Sequence, residues 1–130
     1  PQAAADRTNC DIPLNPSCSQ GIGDPAFLLN VPASQYRQDY TVLVPNDYAE
    51  NYVGLILPEG AIATVDGVVL VEDVSISQAL SSTGWRVVTQ SLASGVHKVT
   101  ADQAFGLISY GYDCTVSYAY PGGLNLEASQ

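Results

Sequence analysis

Methionine is missing from all 130 residues, and basic side chains are almost missing: four Lys and Arg stand against thirteen Asp and Glu, a formal charge of −9. Nucleic acid is excluded as a partner, because phosphate binding needs a basic footprint and none exists here. Anionic membrane surfaces are disfavoured on the same ground. No apolar run approaches the roughly 20 residues that cross a bilayer as a helix, so this domain is expected not to insert into a membrane. No signal-peptide pattern is visible. With no Met at position 1, and with PQAAADRTN and LEASQ reading as linker, the chain reads as a processed protein or an excised piece of a longer one.

Histidine occurs once, as His97, and no CxxC pair exists. A zinc site needs several such ligands at short spacing, so none is expected. A GxSxG nucleophile elbow is also lacking. Charged residues make up only 13% of the chain, about half the usual share, so Ser, Thr, Asn and Gln must cover much of the surface. The length fits one domain with a real core.

Cysteines number three, Cys10, Cys18 and Cys114, an odd count that one disulfide and a leftover thiol explain. Cys10–Cys18 closes a loop of about nine residues, whereas Cys18–Cys114 spans nearly the whole domain and stabilises more on the chain-entropy argument. Cys18–Cys114 is the expected pairing, with Cys10 free or paired elsewhere. A bridge implies an oxidising, extracytoplasmic compartment.

Residues 1–24 carry Pro, Asn, Ser and Gly with little periodicity and read as an irregular arm. From residue 25 short apolar runs take over: Ala26–Pro32, Thr41–Pro45 and Val53–Pro58 each end in proline and read as strands. The last two sit in an echo, Tyr36-x-x-x-Tyr40 before one run and Tyr48-x-x-x-Tyr52 before the other, and predict neighbouring strands with tyrosines over the sheet edge. Asp66-Gly67 between β-branched runs predicts a tight hairpin. Ser75–Gly84 reads as a short helix or loop. Trp85–Leu92, Gly95–Thr100, Phe105–Tyr112 and Thr115–Tyr120 complete eight or nine short strands. That pattern predicts an all-β fold, an antiparallel β-sandwich of jelly-roll-like form. It spans residues 25–126 and leaves a tail at 127–130.

The stretch SYGYDCTVSYAYP, residues 109–121, holds Tyr110, Tyr112, Tyr118 and Tyr120 around Cys114. Alternation puts Tyr110 and Tyr112 on one side of their strand and Tyr118 and Tyr120 on one side of the next. A turn of odd length near Asp113–Thr115 would gather all four rings on one face, opposite Ser109, Gly111, Ser117 and Ala119. Such rings serve packing or, when exposed, a protein or glycan partner. These four are the candidate ligand-binding residues.

GVHKVTADQAFGLISYGYDCTVSYAYPGGLNL resembles the IgGFc-binding domain family, a secreted module of large mucus and surface proteins. The matching elements are Gly95-Val96-His97, Phe105-Gly106, Tyr110-Gly111-Tyr112, Ser117-Tyr118 and Tyr120-Pro121-Gly122-Gly123-Leu124, with QYRQDYTVLVP and TVDGVVL upstream. The resemblance covers residues 25–126. It implies binding and adhesion rather than catalysis, bacterial members within cell-surface proteins, and no catalytic residue.

Other chemistry has thin support. His97 can partner Ser94 or Asp102, or form a dyad with Cys114, but a structural histidine is the expected state. Asp39, Asp47, Glu50, Glu59 and Asp66 sit in predicted loops or turns. They lack the spacing of a dedicated Ca²⁺ loop, and a glycosidase carboxylate pair among them has no positional support. The expectation is a non-catalytic binding module of an exported or cell-surface protein, without a cofactor, and with Ca²⁺ on clustered loop acids left open. A carbohydrate-binding module and a hydrolase using His97 are the alternatives, and oligomerisation through the parent protein is left open.

Overall fold

The computed structural model of the chain describes residues 23–71 and 76–123. Its strands are β1 Arg37–Val44, β2 Glu50–Pro58, β3 Ala63–Val65, β4 Val68–Val69, β5 Ser77–Ala79, β6 Trp85–Ser91, β7 Gly95–Asp113 and β8 Val116–Pro121. A single 3-10 turn at Ala33–Gln35 precedes β1. All pairings are antiparallel, and the all-β expectation is borne out. The expected arm 1–24 lies outside the described residues except for Gly23 and Asp24, as does the tail 127–130.

β7 holds the architecture together. Its first half pairs with β1 and β3, its second half with β2 and β8. The result is a four-stranded layer, β4-β3-β7-β1, and a five-stranded layer, β5-β6-β2-β7-β8, sharing one strand. Gly95–Thr100 and Phe105–Tyr112, read from sequence as two strands, are therefore one. Between them the register slips: Thr100 to Phe105 on β7 faces Asp39 to Arg37 on β1, five steps against two. Extra residues on one strand bend it and increase its twist, which lets β7 pass from one layer to the other.

β1 alternates, with Tyr40, Val42 and Val44 buried and Thr41 and Leu43 exposed. This is the period-2 pattern of a strand with one wet face. β2 is buried almost continuously from Val53 to Leu57, because its outer face is covered too. Phe105, Leu55, Leu57, Val42, Val53, Val88 and Val99 are fully enclosed. Tyr40 meets Phe105 edge to face at 4.9 Å and donates its hydroxyl to the Phe105 carbonyl at 2.6 Å.

The Asp66-Gly67 turn forms as its residues require. Val65 faces Val68, and both turn residues adopt positive φ, 51° and 81°, as a two-residue hairpin loop demands.

Three local expectations fail. Ala26–Pro32 belongs to no strand; its Leu28 packs on a sheet face instead. Ser77–Ala79 is a strand on β6 rather than helix or loop. β1 and β2 are not neighbours: β1 pairs with β7 in one layer, β2 with β6 and β7 in the other.

Candidate functional site

The turn between β7 and β8 decides where the tyrosines point. Asp113 faces Val116, so Cys114 and Thr115 form a loop of two residues, an even number. Tyr110 is then opposite Ala119 and Tyr112 opposite Ser117, whereas Tyr118 is opposite Gly111 and Tyr120 opposite Ser109. Directly opposed residues share a face. The four tyrosines are therefore split two and two, which corrects the expectation of a single tyrosine face.

Tyr118 and Tyr120 lie on the inner face with buried Gly111 and Ser109. A Cβ built on Gly111 would stand 2.5 Å from the Tyr118 ring, so glycine is what admits that ring. Tyr118 Oη donates to Asn51 Oδ1 at 2.8 Å, and its ring meets Tyr48 edge-on at 4.7 Å. Tyr120 donates to the Leu43 carbonyl of β1, a bond between the two layers. Burial raises the pKa of Tyr118 above the usual phenol value, keeping its hydroxyl a donor. Both hydroxyls of this pair are thus spent on bonds within the domain.

Tyr110 and Tyr112 face outward on the five-stranded layer. Tyr52 of β2 stacks on Tyr110 at 5.5 Å, and Tyr110 meets Tyr112 at 5.9 Å. Burial is the main reason that Tyr110 and Tyr52 have raised pKa values; for Tyr52 a hydrogen bond to Glu50 adds to it. Beside this row lies a concavity of about 310 Å³ whose walls include Leu28, Gly54, Ile56, Val87, Ile108, Tyr110 and Tyr112, and which Tyr118 of the other pair also borders.

The segment from Gly23 to Tyr36 crosses the same face. Gly23 N donates to the Asp113 carbonyl, and Asp24 N donates to Ser117 Oγ. Leu28 forms part of the wall of the concavity, while Phe27 and Leu29 on either side are 87% and 76% exposed. At the far end the Tyr36 ring lies over Gly106 and meets Trp85 edge-on at 5.7 Å. Tyr52, Leu28 and Tyr36 were not singled out as site residues. The tyrosine echo flagged Tyr36 and Tyr52, but only the sheet pairing shows that both reach this outer face.

His97 is saturated. Its Nδ1 is 2.7 Å from Asp66 Oδ2 and its Nε2 is 2.8 Å from the Ala93 carbonyl. Both neighbours are acceptors, so the ring fits best as a doubly protonated cation. Its pKa is raised, chiefly by the hydrogen bond to Asp66, and that of Asp66 is lowered by the same bond. Neither ring nitrogen meets Ser94 or Asp102; Asp102 instead accepts from Ile62 N. Cys114 stands beyond the opposite end of β7, which removes the Cys–His dyad. Cys10 and Cys18 lie outside the described residues, and the expected Cys18–Cys114 pairing lies there with them. Asp39 pairs with Arg37 and Glu50 accepts from Tyr52. Among the described residues no three His, Cys, Asp or Glu gather in a metal-holding group, and no helix is long and apolar enough to cross a membrane.

No curated protein and no solved structure matches the chain significantly. A protein family does, over residues 6–111. The match begins within the N-terminal arm and takes in β1 to β6 and nearly all of β7, including Tyr52 and Tyr110. It stops before Tyr112 and the β8 tyrosines, so the inner pair falls outside it. Spanning most of the sequence, it places the chain in the IgGFc binding protein family.

Proposed function

We propose that this domain is a non-catalytic binding module of a larger exported or surface protein, and that it takes a protein ligand on the outer face of the five-stranded layer. The observation that carries this reading is the Tyr52–Tyr110–Tyr112 row. Three rings touch in sequence beside an apolar concavity, and partly buried aromatics with free edges are what binding hot spots are made of. The family's name describes binding to the Fc part of IgG; for this chain it supports the class, a protein ligand. The disulfide expected at Cys114 and the sparse charge fit an oxidising, extracellular setting. The saturated ring of His97 supports the absence of catalysis, since a general base needs a nitrogen free to accept a proton.

The test immobilises the domain and offers an IgG Fc fragment, a mucin glycoprotein and a glycan array as probes. Binding to a protein probe is expected, weakened about tenfold or more by Tyr110→Ala with Tyr112→Ala, with circular dichroism confirming the fold. Unchanged binding by that variant, or no binding to either protein, overturns the assignment. Hits confined to free glycans move the ligand to carbohydrate. An ester-hydrolysis activity abolished by His97→Ala overturns the non-catalytic reading.

A further inference from the structure

Among the described residues β1 is an edge strand, paired with β7 and with no other. The register shows which of its backbone groups face outward. Asp66 N donates to the Lys98 carbonyl, and Lys98 N donates to Asp66 Oδ1. Lys98 thus directs both main-chain groups toward the β3 side. Thr41, opposite Lys98, must then direct its own N–H and C=O away from β7, because opposed antiparallel residues alternate between exchanging bonds and not. Asp39 and Leu43, two residues either way, follow the same parity. The Leu43 carbonyl bears this out by accepting from Tyr120 on the other layer. Apart from that bond, the outward main-chain groups of Asp39, Thr41 and Leu43 have no partner among the described residues.

Edge strands normally carry charge, proline or a bulge against unwanted pairing. Here those guards stand at the ends. Arg37 and Asp39 pair with each other at 3.4 Å beside the register slip, and Pro45 follows the last residue. Thr41–Val44 between them carries none. Next to it an open groove of about 800 Å³ is lined by Thr41, Leu43, Pro45, Asn46, Ser94 and Tyr120. On the outer side Leu43 and Val96 face each other across the ladder, 64% and 69% exposed.

We propose that the β1 edge accepts an extended segment of a partner protein as an added strand, neutral to basic in charge and apolar at alternate positions. Bonds to the outward groups of Asp39 and Thr41 and to the Leu43 N–H set its register. Alternate side chains then fall on the Leu43–Val96 pair or into the groove beside Tyr120. The charge of −9 selects the partner's sign: an acidic segment is repelled, and a second copy would bring two such bodies together. The edge belongs to the other layer from the Tyr52–Tyr110–Tyr112 row, so either surface can be lost without the other.

The probe is a synthetic peptide of about eight residues, alternating valine and threonine with lysine at both ends. Its addition is expected to shift the backbone amide resonances of Thr41 and Leu43 and to slow their hydrogen exchange, leaving those of Tyr110 and Tyr112 unmoved. Methylating the peptide nitrogens that face β1 should weaken binding about tenfold, and glutamate ends should weaken it relative to lysine ends. Thr41→Pro should block the edge while keeping the β7 ladder, since the lost N–H faces outward. Silence at Thr41 and Leu43 with millimolar peptide overturns the proposal, as does equal binding of the methylated peptide. Exchange protection that grows with protein concentration alone makes a second copy the occupant and overturns the choice of partner.

Discussion

Replacing Tyr118 by Phe keeps the ring and deletes one hydroxyl, which isolates the inner-face role of that side chain. The hydroxyl donates to Asn51 Oδ1 at 2.8 Å. Asn51 is only 7% exposed, and its amide nitrogen is already committed to the Tyr48 carbonyl at 3.1 Å, so its oxygen cannot easily turn to another donor. Stranding a buried acceptor costs about 1–3 kcal/mol. The Tyr118 side is partly open to water, which places the expected loss at about 1–2 kcal/mol. In a chain of this size that lowers Tm by about 3–10 °C. Tyr112→Phe is the control: its hydroxyl makes no hydrogen bond among the described residues, and its effect should stay within about 0.5 kcal/mol. Urea unfolding of wild type, both variants, Asn51→Ala and Asn51→Ala/Tyr118→Phe completes a double-mutant cycle, with coupling of about 1 kcal/mol expected. Equal stability of Tyr118→Phe and Tyr112→Phe, or a coupling near zero, would refute the division of the tyrosines into an inner and an outer pair.

Gly111→Ala should destabilise by about 1–3 kcal/mol, because the new Cβ would lie 2.6 Å from the Glu50 carbonyl oxygen as well as against Tyr118. Gly54→Ala, whose nearest atom would be at 3.7 Å, should be close to neutral in the same melt. The Asp66–His97 bond makes stability depend on pH at both ends. His97 has a raised folded pKa, so its contribution is complete below the ordinary 6.5 and is lost as pH rises through the folded value. Asp66 has a lowered one, so its contribution is complete above the ordinary 3.8 and is lost as pH falls through the folded value. A Tm profile from pH 3 to 9 should flatten at its alkaline end in His97→Gln and at both ends in Asp66→Asn; a wild-type profile unchanged by either substitution removes the linkage. Non-reducing peptide mapping should yield a Cys18–Cys114 peptide, whereas a Cys10–Cys18 or Cys10–Cys114 peptide refutes that pairing.

Local chemistry made much of the fold legible. Thr41 to Val44 and Trp85 to Ser91 alternate as strands must, and Asp66-Gly67 can hardly be anything but a tight turn, because both residues have to accept positive φ. The segments that were misjudged differ for physical reasons. Ser77–Ala79 is too short and polar to stand out, and owes its strand to β6. Ala26–Pro32 has strand-like composition but packs Leu28 on a sheet face rather than joining a ladder. The tyrosines of the echo and of residues 109–121 marked the side chains from which both faces are built.

Sequence alone therefore determined the strand-forming segments, the Asp66-Gly67 turn, the sign of the surface charge and the supply of tyrosines, since each depends on neighbours within a few residues. Tertiary structure decided which way those tyrosines look. A two-residue loop at Cys114-Thr115 gives the β7–β8 ladder a parity that sends Tyr118 and Tyr120 inward and Tyr110 and Tyr112 outward; one more residue in the loop would have reversed that relation. It also decided that β7 serves both layers, that β1 keeps an open edge, and that the segment carrying Leu28 lies over the outer face. These are contacts between residues far apart in the chain, and no local pattern encodes which distant strand will supply the other half of a pair.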